Sequence, residues 1–441
     1  MDIVLNEEQA PPEITNNLLN FSFKKISSHL SQGIVEVDPS IVETIYKETI
    51  TLYKKNINTA GLKELPISYI QRIYKDEIDA GLKNFIFYHL TLNYIINEIL
   101  NQKISIAQYP RLTKMTILPD NKAQFNFDFS VADAIDIKEW KFFPFKTPKR
   151  KNYKDLDSQV ASFLKKEQKI AKRHKPDVIE HSDIVCFEAI LLNQEQKKEF
   201  ETFQNELWIK INPKPVLQPI STFFVGKKVG DKFISNNLVL SDELEGNIIS
   251  KHNFLIIIKN IVKGTGFRIE EFKSSFKLKN KTDVLKKIVE IFSYRNDISQ
   301  RRTIIEEMFH LFFARHRFQI PKHMIIRRQE EILNSLKKRP DYRVYKNNAN
   351  FINQVNELAE KMLKEETLID QIANKEGIKA EQKHIRQYLS FFTNERLKEF
   401  VYFKPLNDLF DESSPPIPHN IMKHIARRER TLNHVLHHLT K

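Results

Sequence analysis

Residues 351–377 read FINQVNELAEKMLKEETLIDQIANKEG. Apolar side chains recur at helical spacing among Glu, Lys and Asn, and Gly377 closes the run, so a long amphipathic helix is expected. The chain from about residue 268 onward keeps this character almost without interruption, its helices ending at glycine or proline. A helical region of such length decides the class: the C-terminal part, 266–441, is expected to be all α. Its aromatics Phe309, Phe312, Phe313, Phe391, Phe392 and Tyr402 either form its core or line apolar grooves open to a client polypeptide.

Upstream the period changes. DIVCFEAILL, ELWIKI and NFLIIIKNIV are apolar runs of strand length between about 180 and 262, with NPKP and VGD as turn signals, so residues 180–265 form a β-rich unit. Residues 136–179 are a linker that starts extended in DIKEWKFFPFKTPKRKN and leads into a helix, YKDLDSQVASFLKKEQKIAKRH. Residues 21–135 are a smaller α+β unit. FSFKKISSHLSQGIVEVD gives two alternating runs around Gly33, read as a strand pair. Asp38 caps and Pro39 opens a helix to about Ile57, Pro66 opens a second, and a third runs from about Leu82 to Asn101. KISIAQYP and AQFNFDFSV are expected strands joined by LPDNK. Residues 1–20 read as a polar extension. The predicted class is therefore an α+β multidomain chain, and the lack of a fixed period excludes a regular solenoid.

The chain has 441 residues, a net charge of +14 and a pI of about 9.4. Such a surface draws polyanions such as RNA, while the mild explanation is lysine spread over solvated helix faces. No apolar run reaches the ~20 residues needed to span a bilayer, and the first 17 residues lack the pattern of a secretory signal. A single cysteine, Cys186, excludes an internal disulfide framework and fits a reducing cytoplasm. It sits in an apolar strand, where a buried inert thiol is expected.

Chemistry-bearing motifs are absent. The sequence has no G-x-G-x-x-G, no P-loop, no H-E-x-x-H and no cysteine cluster, so no cofactor and no metal is expected. His434 and His438 stand one helical turn apart but have no acidic or cysteine partner beside them in sequence.

The order of these parts, and several motifs, resemble the trigger factor family of ribosome-associated chaperones over nearly the whole chain from about Phe21. FQIPKHMIIRRQEEIL (318–333) resembles that family's V-P-x-x-L-I helix start, and residues 355–389 follow its arm pattern. IAQYPRL (106–112) is similar to its x-A-x-P-x strand, and PISYIQRIY (66–74) to its V-P-x-x-x-I-x-x-x-Y helix. The resemblance implies a ribosome-binding-like head, a middle unit like an FKBP-type prolyl isomerase, and a helical chaperone domain. The implied activity is ATP-independent holding of nascent or unfolded polypeptides at the large ribosomal subunit, in the cytoplasm, by a free protein that is monomeric or homodimeric.

In that family the head's hairpin tip carries G-F-R-x-G-x-x-P and docks on exit-site protein and ribosomal RNA. Here the tip reads NTAGLKELP (58–66), without the Phe-Arg pair and the second glycine, leaving Gly61, Lys63 and the preceding Lys54 and Lys55 as candidate ribosome contacts. In the middle unit FVGKKVGDKF (224–233) is similar to the family's I-x-G-x-K-x-G-E hairpin. Val216, Leu217 and Ile220 fall on the floor of its proline pocket, and Leu207 and Phe254 on the walls. The family's Tyr-His pair falls on Asp242 and Glu243. Isomerisation needs an apolar pocket that favours the twisted amide over a barrier of ~20 kcal/mol, and two carboxylates at the rim oppose that. Weak or lost peptidyl-prolyl isomerase activity is expected. An active isomerase and a basic RNA-binding protein, the latter suggested by KTPKRK and KKEQKIAKRHK, are the alternatives.

Overall fold

Asp38 Oδ1 accepts a hydrogen bond of 2.9 Å from the Ser40 amide, and Pro39 fills the first helical position, where no amide is needed. These two residues start α1 (Pro39–Asn56), as the sequence predicts. The computed structural model describes residues 18–439 except 28, 58–64, 105, 107–108, 119, 132–133, 138, 147–154, 172–176, 194–204, 215–218, 241–247, 265–272, 274–277, 281, 287, 290–297, 394–400 and 405–414. Within these residues it is a mixed α and β structure with two antiparallel sheets.

The first sheet has the order β1-β2-β4-β3, formed by β1 (Leu19–Lys25), β2 (Leu30–Val37), β3 (Arg111–Ile117) and β4 (Ala123–Ser130). Its buried face carries Val35, Val37, Phe125, Phe127 and Phe129. It packs in one core with residues of α1, α3 (Lys75–Ile86) and α4 (Leu92–Asn101). Gly33 is not the turn that the alternation suggested. It lies in the middle of β2, opposite Phe23 and Phe127, while β1 already ends at Lys25 and β2 begins at Leu30. A Cβ at Gly33 would lie 2.2 Å from Cε2 of Phe129, so the ring's place depends on the missing side chain. The strand before the LPDNK turn is also later than expected. Ile106 makes only an isolated bridge to Val131, and the ladder begins at Arg111, just past Pro110, which has no amide to donate.

The helices differ in the same region. Pro66 opens only a short α2 (Ile67–Ile73), and the chain restarts at α3 rather than near Leu82, so Gly81 is a buried helical residue. Between α3 and α4 the helix widens into a π-turn, Phe87–Thr91.

The second sheet has the order β7-β8-β5-β6-β9, from β5 (Ile184–Leu192), β6 (Asn205–Lys210), β7 (Lys232–Ser235), β8 (Asn253–Val262) and β9 (Ile417–Pro418). Its outermost strand comes from the C-terminal region, which is therefore not purely helical. Both faces of β5 are buried, as its unbroken apolar run suggests. On one face Phe187, Ala189 and Leu191 meet Phe254, Ile256 and Ile258 of β8, with Phe224 of the short α6 (Ser221–Phe224) against Phe187. On the other, Cys186 and Trp208 are covered by Tyr388, Leu389, Met422 and Ile425.

Those covering residues belong to α11 (Gln382–Thr393) and α12 (His419–Leu439). Further helices are α5 (Leu156–Ala171), α7 (Ile298–Arg315), α8 (Lys322–Lys337), α9 (Tyr342–Lys346) and α10 (Phe351–Lys375). The first half of α10 is amphipathic and packs Phe351, Val355 and Ala359 on Ile332 of α8. From Glu365 to Ala373 every residue of α10 is buried. Gly377 takes φ +63° just past its end, where a side chain would be strained. The segment read as a linker joins this core. Ile137 and Trp140 pack with Phe312, Leu368 and Val435, and the Trp140 indole donates to Glu376 Oε1 at 3.1 Å.

Candidate functional site

Three places are candidates for function: the expected proline pocket, the hairpin tip, and the α8–α10 hairpin. Val216 and Leu217, with Asp242 and Glu243, lie outside the described residues. The described pocket positions Leu207, Ile220 and Phe254 are all buried in the core shared by both sheets. Phe254 is 0% exposed because the first sheet's helices cover it. The Phe85 ring lies 6.1 Å from it at 31°, and the His89 ring meets it edge-on at 5.1 Å. The π-turn is what brings His89 there. Its carbonyl accepts a 2.8 Å hydrogen bond from Asn205 Nδ2 on β6. His252 closes the same seam, its ring 4.8 Å from Phe85 and its Nε2 3.4 Å from Thr49 Oγ1. Burial pushes His89 down to about 4 and His252 down to about 3, so both are neutral at pH 7. Around Phe254 the wall of the expected pocket is filled by the protein itself.

Gly61 and Lys63 lie outside the described residues. Lys54 and Lys55 occupy the last turn of α1, leading to the tip, where their charge also suits the helix's negative end. Beyond the tip, α2 leaves Ile67, Tyr69 and Ile73 exposed.

The client-binding candidates divide by burial. Phe312 is buried, its ring tilted against Trp140 and Phe143, and presents no surface. Phe313, Phe391, Phe392 and Tyr402 are half-buried. Phe313 stacks on Phe309, and Tyr402 donates a 2.9 Å hydrogen bond to Glu365 Oε2. The sequence reading missed a different set. Ile326, Val344, Tyr345, Ile352 and Leu358, all between α8 and α10, are 45–74% exposed. Their exposure was hidden because helical periodicity marks apolar residues without saying which of them find a partner.

The hairpin is fastened by buried charges. Arg428 of α12 holds Asp370 at 2.6 Å and Glu366 at 2.8 Å, and Arg328 of α8 reaches the same Glu366 oxygen at 2.9 Å. Burial alone would raise the Asp370 carboxyl, but Arg428 and His424 hold it well below the usual carboxylate range. His424, 3.1 Å from Asp370, is kept neutral-leaning by burial despite that carboxylate. Arg327 Nη2 donates to the Tyr109 carbonyl at 2.9 Å, joining the hairpin to the first unit.

Of the metal-ligating residue types, the described residues group Cys186, Glu206 and His419, with ligand atoms within 4.8 Å of one another. His434 and His438 instead pack on Trp140, ring centres 6.0 and 5.8 Å away.

No protein-family model matches the chain, and no curated protein matches it. Among solved structures, one from work on promiscuous substrate recognition in the folding and assembly activities of the trigger factor chaperone is similar at 15% identity. It covers 94% of this chain and 99% of that chain, with a TM-score of 0.35. Among the described residues no helix is long and apolar enough to cross a membrane.

Proposed function

We propose that the chain is a holding chaperone for unfolded polypeptide that works without nucleotide. The observation that carries this reading is the set of large apolar side chains left in water on the α8–α10 hairpin: Ile326, Val344, Tyr345, Ile352 and Leu358. Each contact with an apolar client residue removes area worth ~25 cal/mol per Å² from water, so binding is weak per site and additive. The sequence resemblance of residues 318–333 and 355–389 to the trigger factor family supports the same reading. The filled wall at Phe254 supports holding over isomerisation, and weak or no prolyl isomerase turnover is proposed.

The proposed place of action is the polypeptide exit of the large ribosomal subunit, in the cytoplasm, reached through the 58–65 tip with Lys54, Lys55, Gly61 and Lys63. A second reading, direct RNA binding, rests on the net charge of +14. The deciding test has two parts. Chaperoning is measured as suppression of aggregation of a chemically unfolded client, comparing the native chain with a Val344→Ser, Ile352→Ser, Leu358→Ser variant. These positions are exposed, so the fold survives, and equal suppression by both overturns the reading. Ribosome co-sedimentation of a Lys54→Glu, Lys55→Glu, Lys63→Glu variant tests the tip. Loss of pelleting supports docking there, and unchanged pelleting favours diffuse RNA binding.

A further inference from the structure

The register of the second sheet sets up an arrangement that the proposed chaperoning does not use. Cys186 of β5 stands opposite Trp208 of β6, and Glu188 opposite Glu206. Residues 186, 188, 206 and 208 therefore share one face of the sheet, since alternate positions point the same way. Ile417 of β9 pairs with Trp208, and this brings His419, the first residue of α12, over that face. The result is a thiol, a carboxylate and an imidazole from three separate elements, with ligand atoms within 4.8 Å of one another.

We propose that Cys186, Glu206 and His419 form a binding site for a zinc-type divalent transition-metal ion that fastens the start of α12 to the middle sheet.

The separation of the nitrogen and oxygen donors suits such an ion. Zinc bonds to nitrogen and oxygen at ~2.0–2.2 Å, which places two ligand atoms of a tetrahedron roughly 3.3 Å apart. His419 Nδ1 and Glu206 Oε2 are 3.2 Å apart. The donor set also suits it: thiolate and imidazole select zinc and its neighbours over magnesium or calcium. Thiolate and carboxylate together cancel the ion's double charge.

The Trp208 indole N–H donates to His419 Nδ1 at 3.2 Å, and metal binding exchanges this hydrogen bond for a metal–nitrogen bond. Of the cations nearby, Lys259 pairs with Glu188 at 2.7 Å and also faces Glu206, and Lys423 faces both Glu206 and His419, so an ion at Glu206 competes with these two ammonium groups. Gln382 meets the Cys186 thiol from α11. The Glu206 side chain is 36% exposed, which gives an entry path and room for water as fourth ligand.

The experiment uses the full chain, stripped with chelator and titrated with Co²⁺ as a spectroscopic stand-in for Zn²⁺. One equivalent is expected to bind with a thiolate-to-cobalt charge-transfer band, to alter the emission of Trp208, and to be displaced by Zn²⁺. Glu206→Gln and His419→Gln are expected to weaken binding at least tenfold, and Cys186→Ser to abolish the band. A variant with His434, His437 and His438 all changed to Ala keeps it. Cobalt binding without a thiolate band, or binding lost only in the three-histidine variant, overturns the proposal. Where Cys186→Ser fails to fold, the single cysteine of the native chain decides. Zn²⁺ is expected to slow its labelling by a thiol reagent at low denaturant at least tenfold, and an unchanged rate overturns the site.

Discussion

The ring of Phe254, on β8 of the second sheet, lies 6.1 Å from that of Phe85, on α3 above the first. Two parts of the chain 169 positions apart thus share one core (254 − 85), and neither ring is reached by solvent. Removing Phe85 leaves a cavity on both sides of the seam. Phe85→Ala is expected to cost about 3–5 kcal/mol, read as a shift in denaturant midpoint. Phe142→Ala, at a ring 84% exposed, is expected to stay within ~0.5 kcal/mol.

The same seam holds two neutral histidines. With folded values near 4 for His89 and near 3 for His252, the unfolded chain, titrating near 6.5, binds more protons between those limits. Stability contributed by this neutrality is complete above pH ~6.5 and declines as pH falls toward 4. His252→Phe is expected to remove about 2 kcal/mol of the loss that the native chain suffers between pH 7.5 and pH 5, measured by denaturant titration at each pH.

Glu365 works in the opposite sense. Burial holds its carboxyl up at about 7, against the pull of the Tyr402 hydroxyl. The folded chain binds this proton more tightly than the unfolded one, so its contribution is complete below pH ~4.3 and is lost as pH rises through 7. Relative to the native chain, Glu365→Gln gains stability from pH 5 to pH 8, by an amount on the order of 2–3 kcal/mol. Equal slopes for the two chains would exclude this assignment.

Asp370 is the hub of the buried charges. Asp370→Asn leaves Arg428 with Glu366 alone and is expected to cost about 3–5 kcal/mol, seen as a lower melting temperature.

Gly33→Ala places a methyl 2.2 Å from Phe129 Cε2. The displaced ring is expected to cost about 1–3 kcal/mol in denaturant titration, although within a strand alanine is otherwise favoured over glycine by about 0.5–1 kcal/mol.

Local signals were legible wherever a residue acts on its own neighbours. The Asp38 cap, Pro39, the run of β5 and the stop at Gly377 each follow from side-chain chemistry within a few positions. What the sequence hid depends on partners far along the chain. Gly33 looked like a turn because nothing nearby announces Phe129. Phe254 looked like a pocket wall because Phe85 is remote. Phe312 and Val344 are both apolar and both helical, yet one is core and the other stands in water. Cys186 is the buried thiol that its apolar strand announces, but Glu206 and His419 meet it only after two sheet pairings, which no local pattern reveals.

The pairing of Ile417 with Trp208 has a consequence for the order of assembly. Chains emerge from synthesis N-terminus first, and each unit folds once its own residues are out. Here the edge of the middle sheet waits for a strand that lies 207 positions beyond β6 (417 − 210). Until that late piece arrives, β6 offers an unpaired backbone edge, an invitation to mispairing. A protein proposed to shelter other unfinished chains is thus itself among the last to be finished.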